Sequence, residues 1–298
     1  LISASGDGVP QKVTKVPEKI LSRAALWAVV ISSFLSILVQ GVPAPEAAAY
    51  TGQCQALLQG SSEYLEELTY TVRWGLIPAG KATLSLTPLT DQEGPARYRI
   101  ESRARSNRFI DVFFRVRDSA VSLAAGGFER SLYFSKSQRE GNFSREEVLE
   151  YDSWDGVGLL FRNGHFTNSI RLPESVQDPI SGLYRFRIME TQPGVEARMY
   201  ATDGRRVVLA RAPILKREKV KTAAGEFECL KLELFPKTLE GPFKVKKHGR
   251  IFMWFTDDEC RLPVKMSTEI FIGSVETTLD EVKYRPNVEL PWRDDRPE

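Results

Sequence analysis

From about Glu63 onward, apolar and polar residues alternate with a period of two. In Leu68 to Trp74, Tyr70, Val72 and Trp74 share one side, while Thr69, Thr71 and Arg73 share the other. Gly75-Leu76-Ile77-Pro78-Ala79-Gly80 turns the chain, after which Ala82, Leu84 and Leu86 alternate with Lys81, Thr83 and Ser85. Successive side chains on a strand point to opposite faces, so this pattern builds a sheet with one greasy face and one wet face. It recurs in about a dozen segments, punctuated by Glu140-Gly141, Asn163-Gly164, Asp203-Gly204, Ala224-Gly225 and His248-Gly249. A flat sheet of that size would expose long edges. The expected fold is therefore mainly β, a curled antiparallel sheet closing into a barrel or half-barrel.

One mature segment reads as a helix, placed on the concave side of that sheet. Asp178 precedes Pro179 as an N-cap before a first-turn proline, and Gln192-Pro193-Gly194 stops the element. Ile180, Leu183, Tyr184 and Arg187 fall at helical spacing, the first three forming an apolar stripe. A second helical candidate, Ala56 to Glu67, is interrupted by Gly60-Ser61-Ser62. Ser106 to Phe114 is apolar but aperiodic, which suits a short helix or a loop over a barrel mouth.

The first 49 residues follow another pattern. Lys12, Lys15, Lys19 and Arg23 precede an uncharged apolar run, Ala24 to Val39, and Ala47-Ala48-Ala49 follows Gly41, Pro43 and Pro45. That order describes a secretory signal peptide. The run falls short of the ~20 residues that span a bilayer comfortably, with an uncleaved inner-membrane anchor over 24–39 as the alternative. Residues 50–298 then form one domain, exported to the periplasm of a Gram-negative envelope. Cys54 follows Thr51-Gly52-Gln53, well beyond the apolar run, so it is a poor lipoprotein cysteine. An oxidising compartment permits disulfides. Of the three cysteines, Cys229 and Cys260 are the candidate pair, closing a loop of about 30 residues, while the odd count favours three unpaired thiols.

Composition narrows the chemistry. A net charge of +2 gives no long-range attraction to nucleic acid, and two histidines with three scattered cysteines leave little for a metal site. No G-x-S-x-G occurs, and Gly75 to Gly80 lacks the spacing of a phosphate loop. No cofactor is expected. Asp257-Asp258 is the most tempting acidic pair, though aspartates favour turns. Lys244, Lys246, Lys247, His248 and Arg250 form the densest basic cluster, read as a solvated tip or a contact for anionic headgroups.

Several phrases, in this order, resemble a family of exported bacterial proteins known as domain of unknown function 3108. They are Tyr70 to Gly80; Ser106-Asn107 with Phe109-Ile110-Asp111; Arg115-Val116-Arg117-Asp118; and Gln138-Arg139-Glu140-Gly141. Gln177-Asp178-Pro179-Ile180-Ser181 with Leu183-Tyr184, and Trp254 to Asp258 continuing through Arg261 to Met266, complete the set. The resemblance covers about Glu63 to Val282 and implies no established activity. By analogy of pattern it is similar to periplasmic lipoprotein carriers and other half-barrel lipid binders.

The first functional expectation is a non-enzymatic binding or carrier protein for a lipid or other hydrophobic molecule. Its contacts would be Trp74 on the apolar face, Ser181 and Tyr184 on the helix, and Arg103 and Arg117 from the arginine-rich strands. A second reading is an envelope structural or assembly factor acting by protein–protein contact. A carboxylate-based hydrolase is the third. Membrane association is expected only through the N-terminal segment or by peripheral contact, and no nucleic acid partner is expected.

Overall fold

A computed structural model describes residues 51–61, 63–89, 97–152, 155–234, 250–269 and 273–287. The expected leader and the basic residues 244–248 lie outside them. Residues 43–298 form one compact unit. Among the described residues no helix is long and apolar enough to cross a membrane.

Among the described residues fifteen strands form a single open sheet. Eight follow one another as an antiparallel meander: β1 (Tyr64–Trp74), β2 (Ile77–Leu89), β3 (Arg97–Ser106), β4 (Arg117–Ala125), β5 (Ser131–Glu140), β6 (Phe143–Asp152), β7 (Val157–Arg162) and β8 (His165–Arg171). From the other side of β1 the order runs β15 (Ser274–Pro286), β14 (Pro263–Glu269), β13 (Ile251–Thr256), β12 (Gly225–Leu234), β11 (Val207–Thr222), β10 (Glu196–Thr202) and β9 (Val176–Gln177). All pairings are antiparallel except the short β9–β10. The expected dozen strands become fifteen, and the two segments read as 206–218 and 219–222 are one strand, β11. A bulge between Ile214 and Lys216 lets it bend without breaking, leaving Leu215 exposed.

Among the described residues three α-helical pieces accompany the sheet, α1 (Thr51–Leu58), the single turn α2 (Arg108–Asp111) and α3 (Ser181–Arg187), with a 3-10 turn at Gly126–Phe128. α1 ends at Leu58, before Gly60 and Ser61, and from Tyr64 the expected second half of that helix is strand β1 instead. α3 is shorter than its pattern: it opens at Ser181 with Ile180 at the N-cap position, and Asp178, expected as the cap, sits in the turn that leads into it. Its Oδ1 accepts from the backbone N–H of Ile180 and of Ser181, both at 2.9 Å.

α3 shows how tightly the sheet curls. β4 and β13 stand six places apart, ~29 Å if the sheet were flat. A helix is only ~10–12 Å across, yet α3 meets both sides. Tyr184 stacks on Phe128, which follows β4, at 5.5 Å, and Phe186 packs on Phe255 of β13 at 4.5 Å. Tyr184 joins a core with Leu68, Leu86, Tyr98, Ile100 and Leu279. Phe186 joins another with Ala197, Ile214, Leu230, Leu232 and Met253. The helix thus lies inside the curl and serves both walls.

Side chains, not a backbone ladder, bring the two ends of the sheet together. Asn168 of β8 donates to the Gly204 carbonyl beyond β10 at 3.0 Å. Arg205 reaches Glu147 of β6 at 2.9 Å. Ser175 and Gln177, at β9, donate to backbone carbonyls of Phe128 and Glu129. These bonds tie the two margins of the sheet to each other at a few points, which leaves less bare edge for another chain to pair with.

Cys260, in the turn after β13, is bonded to Cys54 in α1, with the two Cα atoms 5.7 Å apart. This corrects the candidate Cys229–Cys260 pair. Cys229 lies on β12 opposite Thr256, is fully buried and is a free thiol. Cys54 is completely buried in a helix laid against the core.

Candidate functional site

The end of the curl that holds α1 and α3 is packed with polar groups that satisfy one another. Glu66 sits on the inward face of β1 with Leu68 and Tyr70, where an unpaired carboxylate would be very costly. Arg187 of α3 meets it with both terminal nitrogens, at 2.5 and 2.8 Å. Tyr284 donates to Glu66 at 2.8 Å, Tyr184 at 3.3 Å, and Arg187 also donates to the Cys260 carbonyl at 2.9 Å. Burial drives the phenols of Tyr70, Tyr184 and Tyr284 far up, so they remain neutral donors. Glu66 and Arg187 are both fully buried. This is a plug.

Asp178 makes a second buried cluster. Ser122 and Ser131 donate to its Oδ2 at 2.5 and 2.7 Å, and Ser181 and Ser131 are themselves 2.7 Å apart. Burial raises the Asp178 carboxyl above the usual range, and the donated hydrogen bonds oppose that rise. All four residues are sealed from solvent.

The expected ligand contacts are not brought together. Ser181 and Tyr184 are fully buried with their hydroxyls spent on protein partners. Arg103 lies on the outer face, 72% exposed, near Glu101 at 3.1 Å. Trp74 ends β1, half-buried beside Gly273. Arg117 grips Asp111 through two bonds, of 3.0 and 2.6 Å. That grip holds the Asp111 carboxyl down at about 2. Asp257 pairs with Arg217, and Asp258 accepts from the turn backbone at Cys260 and Arg261, which is a polar turn. A cleft of about 440 Å³ opens between Lys81, Asp280, Asp258 and Phe227, with Lys81 already on Asp280 at 2.5 Å.

The opposite end of the strands is different. Alternating strand direction places the β1–β2, β3–β4, β5–β6 and β7–β8 connections at one rim. Of the eleven large apolar side chains left exposed among the described residues, seven sit there. Leu76 is 91% exposed and Val112 75%; Phe109, Phe113, Phe114, Phe143 and Phe166 are each more than 40% exposed. Trp74 and Arg117 lie at this same end.

Polar bonds hold these apolar groups in place. Asn107 donates to the Pro78 and Ala79 carbonyls at 2.6 and 2.8 Å and caps α2 by accepting from Ile110. Ser106 donates to Asp111 at 2.5 Å, and Gly141 N–H donates to the Arg115 carbonyl at 2.7 Å. Gly80 must be glycine: a Cβ there would stand 2.2 Å from the Arg105 carbonyl oxygen. Gly141 has φ 59° with the Phe114 ring 3.1 Å from where a Cβ would stand. A rigid, internally satisfied loop set therefore presents hydrophobic tips to water. Sequence periodicity pointed inward and missed them; the available signal was the aperiodic apolar run 106–114.

A family model described as a protein of unknown function, DUF3108, matches residues 69–280. The chain belongs to that family. Its quoted phrases at 75–80, 106–111, 115–118 and 138–141 all meet at the rim of this DUF3108 domain. Among solved structures it is similar to a β-barrel-like DUF1849 protein from Brucella abortus, at 9% identity and TM-score 0.45, covering 74% of this chain and 97% of that one. Another is a protein with a YmcC-like fold from Bacteroides fragilis, at 11% identity and TM-score 0.34, covering 73% and 95%. No curated protein matches the DUF3108 chain.

Proposed function

We propose that this protein is a non-enzymatic envelope module that works by contact through its rim, rather than by carrying a ligand inside its curl. The observation that carries the reading is the gathering of seven exposed apolar side chains on, or just beyond, four connections at one end. Patches of this kind on otherwise ordinary surfaces mark interaction sites. Support from the interior is complementary: around α3, Tyr98, Phe128, Tyr184 and Arg187 take up the space a greasy ligand would need. An exported setting agrees with the leader pattern and with the Cys54–Cys260 bond.

Native mass spectrometry of gently purified protein, paired with organic extraction, tests the reading. The expected spectrum is the mass of the polypeptide alone. A stoichiometric lipid or other hydrophobic adduct surviving into the spectrum would restore the carrier and overturn contact as the primary role.

A further inference from the structure

Arg73, Arg105, Arg108 and Arg115 are exposed at the rim and make no ion pair among the described residues. Arg139, also exposed, meets Glu146 only at 3.8 Å. The hydrophobic tips are thus interleaved with cations. We propose that the rim docks on the surface of an anionic bilayer, an inference that rests on the contact role argued above.

Three features favour this occupant. Apolar tips can sink ~5–10 Å into the boundary between headgroups and acyl chains while guanidinium groups stay at the phosphates. The tips spread along the rim from Leu76 to Phe166 rather than closing over one pocket, with Leu76 and Val112 the most exposed and Phe109, Val112, Phe113 and Phe114 together between β3 and β4. A fluid bilayer accepts scattered tips without shape complementarity, whereas a protein partner would favour a compact anchor in a pocket. Finally, the connecting loops spend backbone and polar groups on one another, through Asn107 to Pro78 and Ala79 and through Gly141 to Arg115. Inserting their tips strands few polar groups in hydrocarbon.

The test uses the full chain with an environment-sensitive fluorophore on Val112→Cys, or on Lys219→Cys near the opposite end of β11 as control. The native cysteines do not compete, because Cys54 and Cys260 are bonded and Cys229 is buried. Phosphatidylglycerol vesicles should blue-shift the label at 112 and not at 219, with phosphatidylcholine vesicles doing much less and added salt reversing the effect. Arg108→Gln should weaken binding about fivefold, and Phe113→Ser with Phe114→Ser about tenfold or more. No shift at 112, or an equal shift with neutral vesicles, overturns the proposal. So does a vesicle-independent shift that grows with protein concentration, which assigns the rim to a protein partner instead. Those failures leave contact through the rim standing, whereas a stoichiometric hydrophobic adduct in the mass spectrum would remove that reading itself.

Discussion

Arg187 would be a misplaced member of an apolar helix stripe without an anion to meet, and Glu66 would be equally misplaced on the inward face of β1. Each explains the other. Removing one partner of a buried, hydrogen-bonded pair leaves a stranded charge, at a cost of roughly 3–5 kcal/mol. Arg187→Met should lower the unfolding free energy by about that amount in urea titrations, and Glu66→Leu added to it should recover much of the loss. A double variant as unstable as the sum of the singles would contradict the coupling. A second residue gives a pH signature. Burial first, and then the Asp118 charge, pushes the Glu140 carboxyl from 4.5 up to about 7, against a hydrogen bond from Gln138 and the nearby Lys136. A carboxyl that holds its proton more tightly when folded costs stability as pH rises from about 4.5 to about 7, with the penalty complete above that window. Glu140→Gln should flatten the urea midpoint across that window and stabilise the protein above pH 7, with little change below pH 4. At this scale the sequence showed Arg187 on the stripe but not its partner. Their spacing of 121 residues carries no local signal.

At the scale of elements, α1 is held by a covalent bond rather than by its length. Its eight residues are too few to be stable alone. The Cys54–Cys260 bond spans 206 residues and, in the chain-entropy model, restricts the unfolded chain by up to about 5 kcal/mol. Cys54→Ser should lower stability by about 2–5 kcal/mol in denaturant titrations. Thiol labelling of the native protein should find no reactive group, since burial pushes the Cys229 thiol up to about 12. Fast labelling of one thiol in the native state would contradict this arrangement. The alternation of Tyr70 and Val72, or of Ala82 and Leu84, made the strands legible because period two is local. The disulfide was not legible: the short loop from Cys229 to Cys260 made that the candidate pair, and only tertiary packing brings α1 onto the turn at Cys260.

At the scale of the whole sheet, the described residues make a curl with two unlike ends. One is plugged by α3, the tyrosines and the Glu66–Arg187 pair; the other exposes aromatic tips among arginines. The curl was foreseeable from the number of strands and the need to hide edges. Its closure was not, because Asn168 to Gly204 and Glu147 to Arg205 join side chains of distant strands. The central claim is that this protein meets its target at the rim and not in its interior. Hydrogen–deuterium exchange of the full chain, with and without phosphatidylglycerol vesicles, tests it most directly. The account predicts added protection at 75–76, 107–116, 141–143 and 163–166, with α3 and its strand partners unchanged. Protection that appears instead at 178–188 and on β10 to β13, with the rim unaltered, would contradict it.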